Sequence, residues 1–290
     1  MNHTARECLQ ATIKKIDGAY APSTIRAYKS NFENFIQYCD ENNTAALPAT
    51  SEIVASYIKK LSAHLKSSSI KIAVASIAAL HNLNSLNDPT QHPDVKIEMR
   101  RMYRILGRYA KQAYAINRDL LEKMIDLTGI NLRGLRDRAL LYVAYDTMCR
   151  RSELTSFFIE DLVITNRTIK ICLRKSKTDQ EQIGQWLSLK DDTYKAIETW
   201  LKASKIKHGK LFRGIKSYNS MNAELTNAQI NRIYKKYARL INLSDINISG
   251  HSIRIGATQD LLKSGASLAA IMQKGRWSKV DTVLSYVRNL

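Results

Sequence analysis

Gly250-His251-Ser252-Ile253-Arg254-Ile255-Gly256-Ala257 is the stretch from which the rest of the chain can be read. His251 and Arg254 are three residues apart, so on a helix both would project from one face, and Ser249-Gly250 just before them suits a helix start. Backbone N–H groups at such a start favour an anion. A lone His-x-x-Arg arises often by chance. This one is flanked by Gly250, Gly256 and Ala257 and followed by Gly275-Arg276-Trp277 and, nine residues after the tryptophan, by Tyr286. That combination is specific. Working upstream, an apolar helical segment ends in Cys149-Arg150-Arg151-Ser152-Glu153-Leu154. A basic pair at a helix end is by itself accounted for by the helix dipole.

Composition narrows the partners. Lys+Arg 45 against Asp+Glu 26 leaves a net charge of +19, which calls for a polyanion. The charge is uneven, +5 over residues 1–110 and +14 over 111–290. An acidic membrane would also attract it, but no apolar stretch approaches the roughly 20 residues of a spanning helix. Lys14, Lys15 and Asp17 interrupt any signal-peptide core. The expectation is a soluble protein of the cytoplasm, nucleoid-associated if bacterial, with no membrane partner. Cys8, Cys39, Cys149 and Cys172 are scattered without a CxxC pair or a histidine at zinc-ligand spacing, so they read as reduced, mostly buried thiols. At 290 residues the chain is long enough for two domains.

Apolar spacing gives the order of elements. Ile25, Tyr28, Phe32, Phe35, Ile36 and Cys39 make one helical stripe between Ser23 and Asn42. A second helix follows Thr50-Ser51 through Ile53, Val54, Tyr57, Ile58, Leu61 and Leu65. A third runs from about Ser69 to Leu83 through Ile72, Val74, Ile77 and Leu80, before the turn at Asn87-Asp88-Pro89. A fourth, Val95 to Tyr109, is read with Ile97, Met102, Ile105 and Leu106 on its apolar side and Arg100, Arg101, Arg104 and Arg108 elsewhere. These arginines suit phosphate contacts or simply a solvated face. Helices are expected at Arg118–Leu127 and Leu135–Met148. Leu162–Ile164, Thr168–Leu173 and Gln182–Leu189 then read as three antiparallel strands. Helices resume at Asp191 and include Leu225–Leu240. The fold class is mainly α with a small three-stranded antiparallel sheet.

Together the His-Ser-Ile-Arg-Ile-Gly run, Gly-Arg-Trp, the spaced tyrosine and Arg-Arg-Ser-Glu-Leu resemble the tyrosine recombinase (phage integrase) family, most closely its Cre-type branch. The resemblance is strong from about Arg136 to Arg288 and weak before that. It implies a two-domain, C-shaped DNA clamp: a helical, SAM-like core-binding domain over 1–110, a linker over 111–116 and a catalytic domain over 117–290. With only some twenty residues before the first called helix, a simple two-domain recombinase is expected, without the arm-binding domain of lambda-type integrases.

The family chemistry breaks a DNA phosphodiester by adding a tyrosine oxygen to phosphorus while cations stabilise the charge on the phosphate oxygens. No carboxylate cluster suggests a metal, and neither metal nor other cofactor is expected. Guanidinium forks suit the phosphate, so Arg150 and Arg254 are the expected pair. Arg150 is preferred to Arg151 because it opens the family's Arg-x-Ser-Glu-Leu, in which Glu153 supports the site. Lys177 resembles the family lysine on the turn between the second and third strands, which protonates the leaving 5′ oxygen; Lys175 is its rival and a DNA contact, and Arg174 a lesser one. His251 joins the phosphate site. Trp277 would donate to the phosphate and pack under the nucleophile, although a tryptophan there could be plain core. Tyr286 would be the nucleophile, leaving a 3′-phosphotyrosyl bond and a free 5′ hydroxyl. The resemblance also extends DNA contact to Arg100, Arg101, Arg104 and Arg108.

The implied partners are double-stranded DNA with paired inverted-repeat half-sites and three further copies of the chain, a homotetramer on two DNA sites, with room for an accessory protein. Integration, excision, resolution and inversion share this chemistry. Two departures stand out. The family's Gly-Leu before the first arginine is Met148-Cys149 here. Cre-like proteins also continue past the tyrosine into a helix that docks on a neighbour, whereas this sequence ends at Leu290, so subunit contact is expected to be made differently or to need further residues. The rival readings are a type IB topoisomerase, which relaxes DNA as a monomer, and a non-catalytic DNA-binding protein of the same fold.

Overall fold

In the computed structural model, residues 2–108, 112–165, 168–176, 184–216 and 220–287 are described. They form two units, Met1–Lys111 and Gln112–Leu290.

The first unit is helical: α1 (His3–Lys15), α2 (Pro22–Glu41), α3 (Ser51–Ser62), α4 (Ser67–Leu83) and α5 (Pro93–Leu106). Pro22 and Pro93 each sit in the first turn, where the missing N–H costs nothing. The Thr50 side chain accepts from the Ile53 N–H at the start of α3. Phe32, Phe35, Ile36, Ile58, Ile70 and Leu80 are fully buried between these helices. His81 is buried among them, its Nε2 accepting from the Ala49 N–H at 2.9 Å and its Nδ1 2.8 Å from the Ile77 carbonyl oxygen. That pattern requires a neutral ring, and burial accordingly pushes its pKa down.

Four readings of this unit are corrected. Sequence spacing gave no helix over His3–Lys15, yet α1 buries Ala5 and Leu9. Leu65 lies beyond the end of α3 and Ile72 faces out, 47% exposed. On α5 the buried side is Val95 and Met102, with Met99, Tyr103 and Leu106 packed against it, whereas Ile97 and Ile105 are 42% and 75% exposed. The spacing 95, 99, 102, 106 is one stripe; the set first chosen mixed two.

The second unit opens with residues 112–116, which run along its surface. The Tyr114 N–H donates to the Asn247 carbonyl and the Ile116 N–H to that of Ser252, both at 2.9 Å. α6 (Arg118–Asp126) and α7 (Leu132–Thr147) follow, capped by Asn117 and Asn131 through side-chain oxygens 3.0 and 2.9 Å from backbone nitrogens. After a single turn, α8 (Arg151–Leu154), come β1 (Leu162–Ile164), β2 (Ile169–Leu173) and β3 (Gln185–Leu189). They pair antiparallel in the order β1-β2-β3, with Ile171 opposite both Leu162 and Leu187. Ile171, Leu173, Leu187 and Leu189 turn one face of the sheet into the core.

α9 (Asp191–Ser204) packs on α7 and brings in Trp200, fully buried, whose indole N–H donates to the Leu211 carbonyl at 2.8 Å. α10 (Asn227–Leu240) is opened by Thr226 and Gln229, each side chain accepting from the other's backbone N–H. The chain then folds as α11 (Ser252–Lys263), α12 (Leu268–Gly275) and α13 (Val280–Val287). The C-terminal sequence motifs fall on these last three helices and on the turns before α11 and between α12 and α13.

Candidate active site

The end of α7, the α8 turn and the turn after α12 meet around one carboxylate. α7 closes on Met148 in the left-handed conformation (φ 50°), fully buried, at the position where the family carries glycine. This reversal sends Arg150 to the head of α8. Glu153, 3% exposed, turns back: its Oε2 accepts from the Arg150 backbone N–H at 2.8 Å and its Oε1 from Arg150 Nη1 at 2.7 Å. Burial acts to raise the Glu153 pKa and is outweighed by Arg276 and by the bonds and charge of Arg150, so the carboxyl lies below the ordinary range.

Arg254, 2% exposed, forms the floor. Its guanidinium donates to the Met148 and Gly275 carbonyls and lies 4.3 Å from the centre of the Trp277 ring. Burial, and then repulsion from Arg150 and Arg276, push its pKa down to about 10, which still leaves it charged at neutral pH. Trp277 in turn meets Tyr286 edge to face, ring centres 5.6 Å apart at 74°. The Tyr286 carbonyl accepts from Gln259 Nε2 at 3.0 Å. Thus α11, carrying Arg254 and Gln259, also holds the helix of the tyrosine.

The glycines of the motif are explained by space. A Cβ on Gly256 would lie 1.9 Å from the Ile116 carbonyl oxygen, one on Gly275 1.9 Å from the Trp277 ring, and one on Gly250 2.4 Å from the Arg151 side chain. His251 is the residue just before α11, with helical backbone angles that continue into it, and is exposed while Arg254 is buried. Loss of solvent around the ring and then the charges of Arg254, Arg151 and Arg150 push the His251 pKa down. Arg150, Arg151, Ser152, Asn227, Gly250 and His251 line a cleft of about 200 Å³.

Arg150, Glu153, Arg254, Trp277 and Tyr286 are therefore linked by contacts, with His251 beside Arg150. Lys177 lies outside the described residues. Lys175 is exposed after β2, and Arg174 is drawn instead to Asp161. Arg100, Arg101, Arg104 and Arg108 are all exposed in the first unit. Reading the sequence missed Arg276, which is 9% exposed and donates to Glu153; nothing in its spacing sets this cation of Gly-Arg-Trp apart. Among the described residues no group of three or more His, Cys, Asp or Glu is placed to hold a metal ion. Cys39 and Cys149 are buried, Cys8 and Cys172 partly so, and all four are free. No helix among the described residues is long and apolar enough to cross a membrane.

Comparison with known proteins agrees in both units. Residues 115–290 match the model of the phage integrase family, and residues 15–84 that of the phage integrase N-terminal SAM-like domain. The integrase/recombinase xerD homolog of Selenomonas ruminantium is 27% identical over 94% of this chain and 84% of its own length. Recombinase cre of Escherichia phage P1 is also 27% identical, over 94% of this chain and 85% of its own. Among solved structures, XerH site-specific recombinase bound to palindromic difH in a post-cleavage complex superimposes with a TM-score of 0.67 at 17% identity, covering 96% of this chain and 79% of that one.

Proposed function

This chain belongs to the phage integrase family and is an enzyme that cuts and rejoins DNA at specific sites, and from that premise we propose how its own residues carry the reaction. The Tyr286 oxygen attacks phosphorus; the new P–O bond to tyrosine forms as the bond to the 5′ oxygen breaks, and that oxygen leaves as a hydroxyl. Attack by the 5′ hydroxyl of a partner strand reverses the step and frees the tyrosine. Arg150 and Arg254 bind the non-bridging oxygens, where charge grows in the transition state. The Trp277 indole N–H adds a donor. A neutral His251 offers one N–H and one lone pair, so it can donate to the phosphate and accept the tyrosine proton. Lys177 protonates the leaving oxygen, with Lys175 as its alternative. Glu153 holds Arg150.

Arg100, Arg101, Arg104 and Arg108 contact backbone phosphates, which position a protein on DNA without reading its sequence. The substrate is double-stranded DNA with inverted-repeat half-sites, engaged by a homotetramer in the cytoplasm, with or without an accessory protein. The units divide as a SAM-like domain over 1–110, a linker over 111–116 and a catalytic domain over 117–290.

One observation carries the assignment of roles: a buried arginine, Arg254, a tryptophan stacked on it, and Tyr286 against that tryptophan form one continuous contact. The test is to incubate the protein and its Tyr286→Phe variant with genomic fragments, trap protein–DNA bonds that survive SDS, and sequence the attached ends. Adducts at a few inverted repeats, lost in the variant while DNA binding persists, are expected. Adducts scattered without site preference would favour a strand-relaxing topoisomerase. DNA retardation with no adduct would mean a non-catalytic binder.

A further inference from the structure

Arg276 occupies a conformation that side chains avoid. It follows α12 with φ 55° and ψ 52°, left-handed, in the position where helices most often place glycine. The turn folds Trp277 back over Gly275 and sends the Arg276 side chain inward. There it is 9% exposed and bonded on several sides: Nη1 to the Thr147 carbonyl at 3.0 Å, Nη2 to the Met148 carbonyl at 3.2 Å and to Glu153 Oε2 at 3.0 Å. Among the described residues its Nε finds no hydrogen-bond partner. A glycine would make the turn without strain; the arginine adopts it with its guanidinium held in these buried contacts.

What it meets is the residue that holds Arg150. Glu153 is a single buried carboxylate shared by two arginines, Arg150 on Oε1 and Arg276 on Oε2. We propose that Arg276 is a positioning residue for strand cleavage: it fixes and neutralises Glu153, so that Arg150 is oriented by the carboxylate yet keeps its positive charge for the scissile phosphate. Without Arg276, Glu153 would be a buried anion paired with Arg150 alone, and Arg150 would spend its charge on it. Burial is the largest influence on Glu153 and raises its pKa, while Arg276 is the strongest single opposing influence. Its loss therefore moves Glu153 toward protonation at higher pH.

The inference rests on the reading of this site as a cleavage centre. Its test uses the full chain and a nicked duplex oligonucleotide carrying a sequence recovered from Tyr286 adducts, on which cleavage is trapped in a single turnover. Arg276→Gly, which accepts the left-handed turn, is expected to slow cleavage by about tenfold to a hundredfold with DNA affinity nearly unchanged. The acid limb of its pH–rate profile should move to higher pH, and Arg276→Lys should recover part of the rate. Because Arg276 acts through Glu153, adding Arg276→Gly to Glu153→Gln should cost far less than adding it to the native chain. Equal costs in both backgrounds, or a native rate and pH profile in Arg276→Gly, would overturn the role for Arg276 while leaving the enzyme's function intact. Absence of any Tyr286 adduct from the native chain would overturn the function itself, and the inference with it.

Discussion

At the scale of single residues, His251 shows how a field of cations sets a protonation state. It faces Arg254, Arg151 and Arg150, and both its lost solvation and their charge disfavour an imidazolium. A neutral ring at neutral pH is what a residue accepting the tyrosine proton needs. The sign follows for substitution: removing a neighbouring cation must raise the His251 pKa. We expect an NMR titration of the ring to give a value below the ordinary range in the native chain and a higher one in Arg151→Ala, which leaves Arg150 and Arg254 in place. An unchanged value would mean that solvation alone sets the shift. The same scale explains what the sequence made legible. Arg150, Glu153, His251, Arg254, Trp277 and Tyr286 stand out in the sequence because they match the spacings of the family's motifs. Arg276 does not, because a cation after a helix reads as a solvated end; only the left-handed turn, invisible in spacing, aims it inward. Met148 was noticed only as a departure, and its backbone angle supplies the reason that glycine suits the position.

At the scale of elements, α13 is the least anchored part of the site. Of its residues only Val283 is buried, Val280 and Leu284 are 41% and 46% exposed, and the helix is tied by the Trp277 edge and the Gln259 bond to the Tyr286 carbonyl. Few buried contacts and an exposed backbone mean a low cost of local opening. Gln259→Ala removes one of those ties without touching the phosphate site. Amide hydrogen exchange over residues 280–287 should then quicken, and cleavage should slow severalfold with DNA affinity unchanged; exchange no faster than native would show that the bond does not hold the helix. Long helices with a clean stripe, such as α2, could be read from spacing because burial enforces the period. α1 is hard to read because its inward stripe, Ala5, Leu9 and Ile13, keeps helical spacing but is short, opens on a small alanine and includes a polar Thr12 among its buried residues. On α5 both isoleucines, Ile97 and Ile105, lie on the outer side, and hydrophobicity alone could not say that Val95 and Met102 face inward in their place.

At the scale of the whole molecule, a net charge of +19 makes binding to DNA a matter of counterions as well as contacts. Every phosphate neutralised releases condensed ions, so log K falls against log salt with a slope near −0.9 per contact on duplex DNA. The first unit brings a defined part of that charge. At about 100° per residue, Arg100, Arg101 and Arg104 fall within roughly 100° of the circumference of α5, opposite the buried Val95 and Met102, whereas Arg108 lies past the end of the helix, after Gly107 at φ 76°. They are not equivalent. Arg101 is paired with Glu98 at 2.9 Å and Arg108 lies over the Tyr103 ring, whereas no ion pair engages Arg100 or Arg104 among the described residues. If this face meets the DNA backbone, Arg100→Ala and Arg104→Ala should each reduce the salt slope by about one and weaken all sequences alike. Arg101→Ala should do less, since it frees Glu98 as it removes a cation that was already partly engaged. Titrations between low and moderate salt on specific and random duplexes will show this. A slope unchanged in the Arg100 and Arg104 variants would place the α5 arginines in solvent and leave the second unit, with its +13, to carry the phosphate contacts.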